Sequence, residues 1–244
     1  MDTKLTPEYI KSPEFLAEAT KVPKIIKKHL TNGQYYAPAH EKTCLFLHHT
    51  AGTTAQGAWG WWNQTPDRVG TPYLIDRNGD IYECFDPKSW AYHLGIKGDD
   101  DSQEKQSISI EIVAAGHLYG DDNNMFLPLY PNTAAGKKIP DSEICVIEKG
   151  FRGYTHFQAY TDAQIISLCQ LVGKIHADFP TIPFPSTFTE KVFEYNPDII
   201  NKDLKGVFTH TSVRKDKDDI IPQPNLLQAL TRVFGLMTSK TKKG

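Results

Sequence analysis

The sequence predicts an α/β fold: a single central mixed β-sheet flanked by helices, with a site at the strand ends. Three observations predict it. Two short apolar runs each end on histidine, Cys44-Leu-Phe-Leu47 before His48-His49 and Gly206-Val-Phe-Thr209 before His210. Between them lie a hairpin signal and a strictly alternating run. Two helical periodicities follow, and strands and helices mixed in this order suit one sheet covered by helices.

Residues 1 to 40 read as an N-terminal helical extension packed on the main domain, which spans 41–240. Ser12-Pro13-Glu14 resembles an N-cap with proline at the first helical position, and Pro23 to Leu30 carries a second short helical pattern. Cys44–Leu47 suits a buried strand that delivers histidines at its end. Tyr73-Leu-Ile-Asp76 and Asp80-Ile-Tyr-Glu-Cys-Phe85 flank Arg77-Asn78-Gly79, and Asn-Gly between apolar runs signals a hairpin of two antiparallel strands. In Ser107-Ile-Ser-Ile-Glu-Ile-Val113 the isoleucines share one face, so Glu111 points to the other. The stretch 117–152, rich in Gly, Asp, Asn and Pro, is long for a connection and reads as an insertion with some structure or a lid bordering a site. Thr161-Asp-Ala-Gln164 forms a capping-box pattern, and Ile165, Leu168, Leu171, Val172 and Ile175 follow at helical spacing. Leu226, Leu227, Leu230, Val233, Phe234 and Met237 make a closing amphipathic helix, with a frayed lysine-rich tail after Thr238.

The chain has 244 residues, 39% hydrophobic, enough for a sizeable core. Lys plus Arg number 27 against 29 Asp plus Glu, so no global basic surface recommends nucleic acid or an anionic membrane as partner. The four cysteines form no C-x-x-C pair and read as free thiols of a reducing compartment. The start carries no apolar secretory stretch and no run approaches the ~20 residues of a membrane helix, so the expectation is a monomer made in the cytoplasm without a signal peptide.

Neutral imidazole is the commonest protein ligand for zinc, and a catalytic site wants three protein ligands with a fourth position open. The two strand-end histidines supply two, and the acids of His210 to Asp219 offer a third. Alone, such histidines are more often surface or core residues. Resemblance shifts the weighing. Phe46-Leu-His-His-Thr-Ala-Gly52 is similar to the opening motif of the type-2 N-acetylmuramoyl-L-alanine amidase superfamily, which takes in phage amidase lysozymes, muropeptide-recycling amidases and peptidoglycan recognition proteins. In order along the chain, the hairpin around Asn78-Gly79, Trp90-Ala-Tyr-His93-Leu-Gly95, Ser107-Ile-Ser-Ile-Glu111, Tyr160-Thr-Asp-Ala-Gln164 and Thr209-His210 through Lys217-Asp-Asp219 resemble five further family segments.

The resemblance implies a zinc site at the strand ends with His48, His210 and Asp219 as metal ligands, and His49 as a neighbour. It implies Glu111 as the acid–base group, Lys217 as the stabiliser of developing negative charge, and His93 as a substrate contact; Tyr73 is a further candidate contact that could equally be core. The implied reaction is hydrolysis of the amide between the lactyl group of N-acetylmuramic acid and L-alanine, in peptidoglycan or muropeptides. Thr209 and Ser109 replace glycines of the family pattern, and the end reads Asp219-Ile-Ile-Pro-Gln-Pro224. Nine positions separate His210 from Asp219, a loop length that differs from both the recycling enzymes and the recognition proteins, so Asp218 and Asp216 stand as fallback ligands. Trp59, Trp61 and Trp62 suit sugar or peptide stacking, or plain packing.

Three readings compete with a lytic, endolysin-like enzyme that a holin releases to the wall: a cytosolic recycling amidase, a non-catalytic peptidoglycan-binding module, and a metal-free scaffold. The full set of ligands together with Glu111 and Lys217 argues against the binding module.

Overall fold

The run Cys44–His49 is buried at every position, as a strand with both faces covered requires. The computed structural model describes residues 5–96, 101–121, 124–126 and 136–241. In chain order they form α1 (Pro7–Lys11), α2 (Pro13–Ala19), β1 (Ile25–Lys27), β2 (Cys44–His49), α3 (Ala55–Trp62), β3 (Tyr73–Ile75), β4 (Ile81–Glu83), α4 (Ser102–Gln106) and β5 (Ser107–Ile112). After these come β6 (Tyr119–Asp121), β7 (Asn124–Phe126), β8 (Ile144–Phe151), β9 (Tyr154–Gln158), α5 (Asp162–Asp178), α6 (Asp198–Asn201), β10 (Gly206–Thr209), α7 (His210–Val213) and α8 (Pro224–Thr241).

Six strands make one mixed sheet in the order β1-β4-β3-β5-β2-β10, antiparallel only between β3 and β4. This is the expected architecture, hairpin included. Register divides the sheet into two faces. Leu45 and Leu47 lie beside Ile108 and Ile110, while Phe46 and His48 lie beside Ser109 and Glu111. The first face packs on Ile165, Leu168, Val172 and Ile175 of α5 and on Leu230 and Phe234 of α8, forming the main core. The second face carries two smaller clusters, one joining Leu74 to Trp62 and the other joining Phe46 to Leu94, Ile199 and Val213.

Helix α5 starts on the predicted capping box, with both reciprocal bonds between Thr161 and Gln164 present, a device worth about 1 kcal/mol. The N-terminal helices begin on Thr6 and Ser12 caps followed by proline, and they bury Ile10 and Phe15 in the main core. The second short helix expected over Pro23–Leu30 is instead a strand. Ile25–Lys27 pairs in parallel with β4, and Lys28 N and Leu30 N continue to Glu83 O and Cys84 O at 2.9 and 2.7 Å. The edge of β4 carries unpaired backbone groups that a β-branched Ile-Ile pair satisfies better than one isolated helical turn does. The extension is thus part of the sheet.

Within 117–152, the described residues contain β6, β7 and β8, and β8 pairs antiparallel with β9; residues 122–123 and 127–135 lie outside the described ones. Helix α8 runs on through Thr241 instead of fraying after Thr238, and 242–244 lie outside the described residues. All four cysteines are free and buried. Among the described residues no helix is long and apolar enough to cross a membrane.

Candidate metal centre and active-site cleft

Strands β2 and β10 run parallel with Phe208 beside Phe46 and Thr209 beside Leu47. The next position on β10's side is His210, so it comes level with His48. A two-residue alternation puts both imidazoles on the sheet face that also carries Glu111. The loop that leaves His210 returns when Thr211 N bonds Asp219 O at 3.2 Å. That return sets Asp219 Oδ2 3.0 Å from His210 Nδ1 and 3.2 Å from His48 Nδ1. The ligand atoms of His48, His210 and Asp219 all lie within 4.8 Å of one another, and all three residues are buried.

The outer nitrogens of both rings are bonded, and those bonds set the tautomers. His210 Nε2 lies 3.0 Å from the Leu94 carbonyl, which can only accept. His48 Nε2 lies 3.0 Å from His93 Nδ1. His93 Nε2 lies 2.7 Å from Ser107 Oγ, whose hydroxyl donates to Glu104 O. Reading back from that carbonyl, Ser107 takes a proton from His93 Nε2, and His93 Nδ1 accepts from His48 Nε2. Burial, and then the neighbouring His210, lower the His48 pKa to about 4. Burial followed by His48 and His210 holds His93 well below its ordinary 6.5. Burial alone would raise Asp219, but the charge and hydrogen bonds of His210 and His48 keep it well below its ordinary value. In the tautomers that those outer bonds set, both Nδ1 lone pairs turn towards the Asp219 carboxylate oxygen; without a cation, only a proton placed on a ring can satisfy that oxygen, and this is the ion pairing that lowers Asp219. Such a donor set fits a divalent cation, and two imidazoles with one carboxylate suit zinc.

Glu111 stands opposite His48 in the register. Its Oε2 is buried with no hydrogen-bond partner among the described residues. Burial, and secondarily Asp219, push its carboxyl well above the ordinary 4.5, while the Lys217 charge pulls the other way. A buried carboxyl with one unpartnered oxygen beside a cation-shaped donor set is disposed to hold a proton that arrives from a reactant. These groups line a cleft of about 900 Å³ whose wall includes His48, His210, Glu111, Lys217, His117 and Trp61. Of the clustered Trp59, Trp61 and Trp62, Trp61 is half exposed and Trp62 is buried in a core cluster, while the Trp59 indole donates to Lys28 O at 2.8 Å.

The fallback acids have other duties. Asp216 pairs with Arg214 at 2.6 and 2.8 Å, and that bond brings its pKa down to about 2. Asp218 accepts at 2.7 Å from His117 Nδ1 and lies 4.0 Å from His49 Nε2. His49 alternates to the opposite face of β2, where its Nδ1 lies 3.0 Å from the Tyr160 hydroxyl; it is a neighbour of the centre, not one of its three donors.

The two expected substrate contacts are placed differently from one another. Tyr73 pairs in register with Ile110, so it faces the main core and is 2% exposed; its neighbour Leu74 takes the Glu111 side. His93 lines the cleft, but its side chain is 4% exposed and both nitrogens are committed behind His48. Sequence reasoning missed Glu104, His117, Tyr160 and Ser107 as supports of the site. Ser107 was accessible, since alternation places it on the Glu111 face. The others carry no local signal.

A family model described as N-acetylmuramoyl-L-alanine amidase matches residues 38–222. Among solved structures, hydrolase AmiA of Staphylococcus aureus, determined in complex with its ligand, aligns over 98% of this chain and 94% of its own, at 13% identity and a TM-score of 0.52. A selenomethionine AmpD derivative aligns over 85% and 93%, at 15% identity and 0.45. The Ph2119 endolysin from a Thermus scotoductus bacteriophage aligns over 85% and 99%, at 11% and 0.43. At such identities the likeness to AmiA is one of fold. No curated protein matches the sequence significantly.

Proposed function

The chain belongs to the N-acetylmuramoyl-L-alanine amidase family, and from that premise we propose that it cuts the amide between the N-acetylmuramic acid lactyl group and L-alanine of peptidoglycan, at a zinc centre held by His48, His210 and Asp219. The observation that carries the reading is the meeting of three lone-pair donors, from β2, from the residue after β10 and from the following loop, beside Glu111, whose buried Oε2 has no hydrogen-bond partner among the described residues. Zinc bound there supplies Lewis-acid chemistry, polarising the scissile carbonyl and acidifying water.

The protein's own groups do the rest. Glu111 takes a proton from the attacking water and passes it to the departing alanine nitrogen, a role its raised pKa suits and one commonly worth 10²–10⁴ in rate. Lys217 lines the same cleft and stabilises the negative charge that develops on the carbonyl oxygen, by about 3–4 kcal/mol on the scale of oxyanion donors. The ring of Trp61 at the cleft wall offers a face for stacking a sugar or peptide. A cleft of about 900 Å³ suits a polymeric substrate, and the reading favoured is a lytic, endolysin-like enzyme acting on intact wall.

The test is zinc content together with release of stem peptides from purified sacculi. About one zinc per chain with release is expected for the wild type. His210→Ala should lose or strongly weaken zinc and abolish release, and Asp219→Asn should do the same while Asp218→Asn keeps the metal. Metal-free wild type that binds sacculi without releasing peptide would overturn the enzyme. Faster cleavage of free muropeptides than of sacculi would replace the lytic role with a recycling one.

A further inference from the structure

Both histidines of the centre are held from outside by one short segment. His93 Nδ1 meets His48 Nε2 at 3.0 Å, and the Leu94 carbonyl meets His210 Nε2 at 3.0 Å. A shift of this segment therefore turns both rings at once. Glu104 of α4 holds it: its carboxylate accepts the backbone N–H groups of His93 at 2.9 Å, Leu94 at 3.0 Å and Gly95 at 3.3 Å. Three successive N–H groups converging on one carboxylate require the chain to curl. Gly95 makes the curl at φ +59°, a region glycine enters without a Cβ penalty.

Glu104 also reaches the segment by a second route. Its main-chain carbonyl accepts the Ser107 hydroxyl, which in turn accepts from His93 Nε2. One residue thereby sets where His93 sits and which of its nitrogens carries the proton. The Glu104 side chain is 4% exposed, so water does not replace these bonds when they are lost. It touches none of the three donors His48, His210 and Asp219; it acts through His93 and Leu94.

We propose that Glu104 is a positioning residue of the metal centre, fixing through the His93–Gly95 segment the outer hydrogen bonds of both histidine ligands and so setting metal affinity. The proposal rests on the zinc reading given above. Partners that orient metal-binding histidines are typically worth 10–100-fold in affinity, and here one residue governs two such partners.

The experiment measures zinc affinity of the full chain by competition with a chelating indicator, and the melting temperature with and without zinc. Glu104→Gln puts an amide N–H₂ against backbone donors. It should weaken zinc binding 10–100-fold and shrink the rise in Tm that zinc produces. If the variant lowers Tm of the metal-free protein but leaves zinc affinity and that rise unchanged, Glu104 only holds the fold and the proposal is overturned. Should Glu104→Gln not fold, Glu104→Asp carries the same test, because it keeps the charge and shortens the reach by one methylene. Wild-type protein that binds no zinc would instead sink the metal reading itself.

Discussion

Replacing Glu111 by glutamine separates catalysis from metal binding and from folding. The substitution conserves shape and removes only the capacity to hold a proton. Glu111 is not among the three converging donors, so about one zinc per chain should remain. Its Oε2 makes no hydrogen bond among the described residues, so none is lost there. Burial holds the Glu111 pKa well above its ordinary value in the folded, metal-free protein. The sign follows: ionising this carboxyl is disfavoured by folding, so its contribution is most favourable below the unfolded pKa and is lost as pH rises through the folded one. Metal-free Glu111→Gln should therefore be at least as stable as wild type at neutral pH. Activity moves the other way. Loss of the proton acceptor should lower kcat 10²–10⁴-fold, or about 3–5 kcal/mol in the barrier at 1.36 kcal/mol per tenfold. The assay is the appearance of new alanine amino termini from sacculi across pH, with zinc stoichiometry measured on the same samples. Wild-type activity should fall at low pH as Glu111 takes up a proton, and the residual activity of the variant should lack that limb. Zinc-replete Glu111→Gln within a few-fold of wild type would refute the assignment, as would loss of the metal.

Tyr160→Phe removes a buried hydroxyl that accepts Ile221 N–H at 3.1 Å and lies 3.0 Å from His49 Nδ1. Two buried polar groups are left unpaired, so urea unfolding of the metal-free protein should show a loss of about 1–3 kcal/mol, and a change below about 0.5 kcal/mol would contradict that hydrogen-bond reading. Lys42 is 1% exposed, its Nζ donates to the Ser89 and Lys105 carbonyls at 2.9 and 2.7 Å, and burial lowers its pKa from 10.5 to about 7. Between those values the unfolded chain binds more protons, so wild type should gain on Lys42→Met by up to ~1.4 kcal/mol per pH unit as pH rises from 7 towards 10, and the gain should vanish as pH falls through 7. Urea unfolding of both proteins at pH 6, 8 and 9 checks this, and a stability difference constant with pH would contradict it.

What the sequence by itself determined about this protein is what short-range periodicity encodes. Alternation in Ser107–Ile112 placed Glu111 opposite the isoleucines, the Asn78-Gly79 turn produced its hairpin, and the Thr161–Gln164 box marked the start of α5. Apolar runs ending at His48 and His210 marked the strand ends where the centre forms, because a strand buried on both faces has nowhere to place polar ligands except at its ends. The tertiary structure alone decided the rest. Which of Asp216, Asp218 and Asp219 faces the histidines depends on Arg214 and His117 claiming the first two, and His117 lies 101 residues away from Asp218. The face of Tyr73 followed from its pairing with Ile110, because a three-residue strand has too few positions for its own alternation to choose a side. His93 turned behind His48 because Glu104 and Ser107 hold its segment there. Ile25–Lys27 became a strand because β4 had an open edge to pair. Apart from Arg214, which lies two residues from Asp216, the deciding partners are eleven or more residues away in the chain, and the competition among partners for a carboxylate, a ring nitrogen or a strand edge is settled only when they meet.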